Sequence, residues 1–158
     1  MSFAVWIATL GYAGFSKRAP GTIGSMVSLF FWAPLLFWGA PWQIRIVAAG
    51  LLFCLGLWAT SKSLTQFNDS DPQSIVIDEA VGMGITLCFC QASWWNLLLG
   101  FLLFRFFDVL KPWPVSFADQ KIKGPLGIML DDVLAGIYAL LVLSVLQQWL
   151  LPWFGFSL

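Results

Sequence analysis

Three groups of carboxylates stand at the ends of apolar runs. Asp78 and Glu79 are adjacent in IVIDEAVGM, Asp108 lies in FRFFDVLKPWP, and Asp131 and Asp132 lie in LGIMLDDVLAGIYA. The chain contains no His, and its three Cys stand apart from these acids. Oxygen ligands without His or Cys suit a hard cation such as Mg²⁺, which takes a few carboxylates, several waters and phosphate oxygens. Ionised groups are costly in apolar surroundings unless they find partners. Glu79 lies inside an apolar run, and Asp108 near a helix C-terminus where the dipole opposes a negative charge, so both are expected to serve function. Acids at helix N-termini are also ordinary caps, and for Asp131 that reading weighs as much as a functional one.

Cations accompany the acids. Arg105, Asp108 and Lys111 step by three along one predicted helix face, the alternative being a salt-bridge ladder within that helix. In SKRAPGTIGS, residues 16–25, Pro20 and Gly21 break any earlier helix and Thr22 is placed to cap the next. Gly24 leaves backbone N–H groups open to an anion, and Lys17 and Arg18 add charge for phosphate. Basic residues before a span also act as orientation signals. The GxxxxGK[ST] spacing of a P-loop is absent. Gly82 follows Asp78 by four residues, and Ala135, Gly136 and Ala139 continue from Asp131 and Asp132, so these faces are expected to pack closely against other helices.

Absences narrow the chemistry further. Without His there is no Ser-His-Asp triad and no phosphohistidine. None of the cysteines has an Arg six residues later, as a Cys phosphatase would need. The pair Asp69 and Asp71 echoes the start of aspartyl-phosphate enzymes, but it ends no hydrophobic strand and Gln73 stands where Thr or Val is expected.

The elements that must position these residues are membrane helices. Of 158 residues 59% are hydrophobic and 10% charged, with ten Trp and fifteen Phe, against about 25% charged in soluble domains. At ~20 residues per ~30 Å span, the length suits a single domain over residues 1–158, an all-α polytopic bundle of about five spans. Apolar blocks cover 24–39, 44–61, 75–110 and 132–151. The third would be ~54 Å long as one helix, and QASWWN at 91–96 divides it into 73–90 and 94–111. FAVWIATLGYAGF lacks a preceding basic region and a cleavage site, so it reads as an interfacial or re-entrant helix rather than a signal peptide. Cys54, Cys88 and Cys90 read as buried packing residues.

This arrangement sorts the charges. Lys17, Arg18, Lys62, Arg105, Lys111, Lys121 and Lys123 fall on one side and only Arg45 on the other, which makes the charged side cytoplasmic. The eight acids fall on or just inside the same boundary. The longest polar connections, 62–74 and 111–130, lie on this face, where function is expected. A net charge of zero gives no sign of a nucleic-acid partner.

Four motifs, APGTIGS, IVIDEAVGM, FRFFDVLKPWP and KGPLGIMLDDVLAGIYA, together resemble the phosphatidylglycerophosphatase A family, in order and over nearly the whole chain. The resemblance implies Mg²⁺-dependent removal of the terminal phosphate of phosphatidylglycerophosphate, giving phosphatidylglycerol in the bacterial inner membrane. The family's motif residues carry over to Lys17, Pro20, Gly21, Thr22, Asp78, Glu79, Asp108, Lys111, Asp131 and Asp132. Pro125 departs from an expected Gly and would stiffen the loop before Asp131, and Ile23 stands where an aromatic is frequent.

On this reading Asp78, Glu79 and Asp132 hold Mg²⁺, with Asp108 and Asp131 as further ligands or as the base for water. Lys17, Arg18, Thr22, Arg105 and Lys111 hold the phosphates. An aspartyl-phosphate on Asp78 or Asp131 is the variant mechanism. The alternative function is an ion-coupled transporter, whose acids should lie near the bilayer midplane rather than at one face. A purely structural scaffold gives no reason for carboxylates of three helices to converge.

Overall fold

The computed structural model describes residues 2–67 and 72–150, apart from the side chains of 149 and 150. Asp69 and Asp71 lie outside the described residues. Among the described residues the chain is helical without strands: α1 (Phe3–Ala8), α2 (Pro20–Phe37), α3 (Trp42–Phe67), α4 (Ile77–Thr86), α5 (Trp94–Leu110), α6 (Val115–Lys121) and α7 (Pro125–Val145). A 3₁₀ turn covers Ala13–Phe15, and a π-type turn follows α7.

Among the described residues three helices have the length and apolarity to cross a membrane: α2, α3 and the last helix, continued to Gln148. The long apolar run 75–110 divides where expected. α5 starts behind Ser93, whose hydroxyl accepts from the Trp95 N–H at 3.3 Å, an N-cap. The segment before it is shorter than the expected 73–90. α4 has ten residues, ~15 Å, about half a hydrocarbon core. All but Ile85 are buried, because α4 is a core helix packed by α2, α3, α5 and α7. An apolar run reads alike whether it faces lipid or protein.

Two other boundaries differ from expectation. α1 stops after six residues, because Leu10, Gly11 and Tyr12 all take positive φ, which no helix continues through. α7 starts at Pro125, not 132: Gly124 turns the chain at φ +77° and Pro125 occupies the first helical position, where its fixed φ and missing N–H are no handicap. Pro125 therefore begins a helix rather than stiffening a loop. Asp131 and Asp132 lie nearly two turns inside α7 and are not caps.

Close approaches fix how α4 sits. A Cβ at Gly136 would stand 2.5 Å from the Gly82 carbonyl oxygen, and one at Gly82 2.7 Å from the Asp132 carbonyl oxygen. Gly84 meets the Trp32 ring, whose Nε1–H donates to the Ala80 carbonyl at 2.8 Å. At the C-terminal end of α4, Arg45 Nη1 donates to the carbonyls of Leu87 and Cys90 at 3.0 and 2.7 Å. Leu87 is the C-cap of α4 and Cys90 follows in the turn behind it, and a cation suits that end of the dipole. Cys88 and Cys90 are buried as expected, but Cys54 is exposed on the outer face of α3.

Candidate active site

The site follows from one spacing used twice. α4 and α7 cross at Gly82 and Gly136. Asp78 precedes Gly82 by four residues, and Asp132 precedes Gly136 by four. One turn above the crossing, on the facing sides of two helices, the carboxylates must therefore meet. One oxygen each from Asp78, Glu79 and Asp132 lies within 4.8 Å of the others. All three side chains are buried, and Asp78 Oδ1 accepts from the Glu79 N–H at 3.1 Å. The N-terminus of α4 beneath them supplies its positive dipole end.

α5 brings the cations. Arg105 Nη1 lies 2.5 Å from Asp108 Oδ2 and 4.0 Å from Glu79 Oε1, and donates to the Ser25 hydroxyl at 3.4 Å. Gly21 has no room for a side chain, because a Cβ there would overlap Glu79 Oε1 and crowd the Arg105 guanidinium. The glycine of APGT is thus explained by its neighbour, not by a turn.

Lys111 does not continue the face of Arg105 and Asp108. It ends α5 in the left-handed region at φ +46°, and its ammonium turns to Asp119 of α6 at 2.5 Å and Asp131 of α7 at 2.8 Å. Burial works against its charge, but the hydrogen bonds it donates to Asp119 and Asp131 outweigh that and hold its pKa above the ordinary lysine range. Lys111 is a fixed cation. The loop behind it, with a cis Trp113–Pro114 peptide, is tied to α7 by the Tyr138 hydroxyl, which donates to the Trp113 carbonyl at 2.9 Å.

These groups line one cavity of about 400 Å³ at the end of the bundle opposite Arg45. It holds Asp78, Glu79, Arg105, Asp108, Lys111, Asp131 and Asp132 together, with Ala19, Pro20 and Gly21 at one wall. Lys17, Arg18 and Thr22 are not in its lining. The left-handed turn at Ala19 sets Lys17 and Arg18 outside on exposed positions, and Thr22 caps nothing, since Ala19 is the N-cap residue of α2. Sequence reasoning missed Asp119, which clamps Lys111, and Lys123, exposed at the rim. The charged residues at every second position along 119–123 are their only trace in sequence.

Glu79 Oε2, Asp131 Oδ1 and Asp132 Oδ2 are buried without a hydrogen-bond partner among the described residues. Buried acceptors left this way are costly, and a cation would satisfy them. Bonds of ~2.0–2.1 Å to Mg²⁺ set the widest separation of two ligands at ~4 Å. The spread of Asp78, Glu79 and Asp132 is close to that, so these residues fit a hard cation.

A protein-family model described as phosphatidylglycerophosphatase A matches residues 6–147, nearly the whole chain and every element of the site. The chain belongs to the phosphatidylglycerophosphatase A family. It is 40% identical over 140 residues to the "Phosphatidylglycerophosphatase A" of Haemophilus influenzae, covering 88% of this chain and 85% of that one. To the protein of that name from Escherichia coli it is 36% identical over 126 residues, 79% of this chain and 72% of that one. A Bacteroides thetaiotaomicron protein provisionally named phosphatidylinositol-3-phosphatase is 34% identical over 154 residues, covering 93% and 94% of the two chains. No solved structure matches. Membership of the phosphatidylglycerophosphatase A family makes the acid-lined cavity the place to seek phosphate chemistry.

Proposed function

We propose that this chain removes the terminal phosphate of phosphatidylglycerophosphate, leaving phosphatidylglycerol, by Mg²⁺-assisted hydrolysis at the cytoplasmic face of a bacterial inner membrane. The observation that carries the reading is the meeting of Asp78, Glu79 and Asp132 beside Arg105 and Lys111 in one cavity. Asp78, Glu79 and Asp132 are the metal-holding residues, and a bound Mg²⁺ would supply charge neutralisation for a phosphate monoester, among the slowest bonds to hydrolyse unaided.

Arg105 and Lys111 bind the phosphate oxygens. Asp108 and Asp119 keep the two cations in place. Asp131 has one oxygen on Lys111 and the other free, so Oδ1 is the acceptor for the proton of the attacking water. Lys123, and not Lys17 or Arg18, adds charge at the entrance.

The five-span arrangement is part of this proposal, with α4 and α5 as an inner hairpin counted as the third and fourth spans. The separation of the acid-lined cavity from Arg45 along α4 supports it. A transporter would need a path past α4, whereas Met83, Leu87, Phe104 and Leu143 fill that space, almost completely buried.

The test is phosphate release from phosphatidylglycerophosphate in mixed micelles by purified protein, with Mg²⁺ or with chelator. Magnesium-dependent release is expected, and full activity in chelator removes the metal. Phosphatidylinositol 3-phosphate as a parallel substrate measures selectivity. Labelling cysteines at 62, 121 and 45 from each side tests orientation: 62 and 121 must share a side.

A further inference from the structure

Below the carboxylates α2 and α5 part, leaving an apolar groove of about 830 Å³. Met26, Ala33 and Phe37 of α2 face Leu97, Leu98 and Phe101 of α5 across it. Phe37 and Trp94 close its far end, with ring centroids 4.6 Å apart. Its near end is the cavity wall: Phe101 precedes Arg105 by one turn, and Met26 follows Ser25, which Arg105 contacts. From Gly21, against Glu79, to Met26 is ~8 Å along α2, and from Met26 to Phe37 another ~16 Å.

We infer that this groove holds one acyl chain of the phosphorylated lipid while its phosphate occupies the carboxylate cavity. The inference rests on the lipid-phosphatase reading above. The ~8 Å between cavity and groove suits the glycerol and ester region of a lipid, which is neither phosphate nor hydrocarbon. The same two helices form both compartments, so a chain in the groove sets the depth and direction from which its headgroup enters. Lipid tails are as apolar as the groove, and leaving the bilayer for it releases little hydrophobic free energy. What the groove supplies is orientation, which acts on the rate of reaction more than on occupancy.

The test fills the groove. Ala33→Trp and Leu98→Trp are compared with Leu51→Trp, whose position is exposed on α3 away from the groove. Each is assayed on dipalmitoyl and on dibutanoyl phosphatidylglycerophosphate. Both groove variants should lose about tenfold in kcat/KM on the long-chain lipid and less than about twofold on the short one. The Leu51 variant should match wild type on both. Equal losses on both substrates overturn the inference, because the groove then serves only the fold.

A second measurement needs no variant. Wild-type protein in bilayers is irradiated with substrate carrying a diazirine at one acyl terminus. Adducts on 26–37 and 94–101 that unlabelled substrate competes away support the inference. Adducts spread over the outer face of α3 and indifferent to competitor identify bulk lipid and overturn it. Wild-type protein inactive on both chain lengths would instead sink the phosphatase reading itself.

Discussion

Asp131 and Asp132, neighbours in sequence, serve different partners: Asp131 accepts from Lys111 at 2.8 Å, while Asp132 joins Asp78 and Glu79. Successive residues on a helix point ~100° apart, and one DD pair therefore reaches two clusters. The two should fail differently. Asp132→Asn is expected to raise the Mg²⁺ concentration for half-maximal rate by at least ~10-fold, since it removes a proposed ligand. Asp131→Asn should leave that concentration nearly unchanged and lower kcat by ~10²-fold or more. Phosphate release across a Mg²⁺ titration separates them, and matching curves would contradict the division.

Lys111→Ala removes the cation between Asp119 and Asp131 and leaves two close carboxylates uncompensated. Catalysis should fall by ~10²-fold or more per inserted molecule. Lys62 is exposed on α3, outside the cavity, and Lys62→Ala should act at wild-type rate. Equal, near-wild-type rates for both would assign Lys111 to orientation alone.

Gly136→Ala places a methyl group 2.5 Å from the Gly82 carbonyl oxygen, so α4 and α7 must separate. Overpacking of this kind costs ~1–3 kcal/mol. The crossing also sets the distance from Asp78 to Asp132, so thermal stability in detergent and activity should fall together. Gly50→Ala meets nothing within 4 Å and is the matched control.

Gly21→Ala should spare the fold more than the chemistry, because the new methyl group meets Glu79 and Arg105 rather than helix backbone. Activity loss with an unchanged unfolding temperature is expected. A normal rate would mean that Glu79 can shift without consequence.

Arg45→Ala makes the opposite forecast. Its guanidinium holds the carbonyls of Leu87 and Cys90 at the far end of α4, bonds to a charged group that contribute ~1.5–3 kcal/mol. Stability should fall by about that much, while the Mg²⁺ dependence of the remaining folded protein stays as in wild type.

The acids Asp78, Glu79 and Asp132 and the small residues that repeat after them at helical spacing were legible in the sequence; that Gly82 and Gly136 form one crossing comes from the structure. At that crossing helical periodicity turns the repeat into a contact. The fate of Lys111 was not legible. Its spacing from Asp108 says same face, but the left-handed backbone at Lys111 cancels that, and a non-glycine residue gives no warning of it. Ala19 misplaces Lys17 and Arg18 for the same reason. The length of α4 was hidden differently: hydropathy reports that a run avoids water and is silent on whether lipid or other helices provide the shelter.

The plug beneath the acids has an electrical consequence. Carboxylates and the water they attract, set into a membrane, are the ingredients of a proton wire, and the transmembrane potential acts on any charge free to follow one. Here the acid-lined cavity stops at α4: Phe104, Met83 and Leu143 fill the space below, and Arg45 stands at the far end. On the proposed one-sided reading, the plug lets an acid-lined cavity sit in a bilayer without discharging the gradient across it. In liposomes, the purified protein should leave proton conductance at the level of the empty membrane.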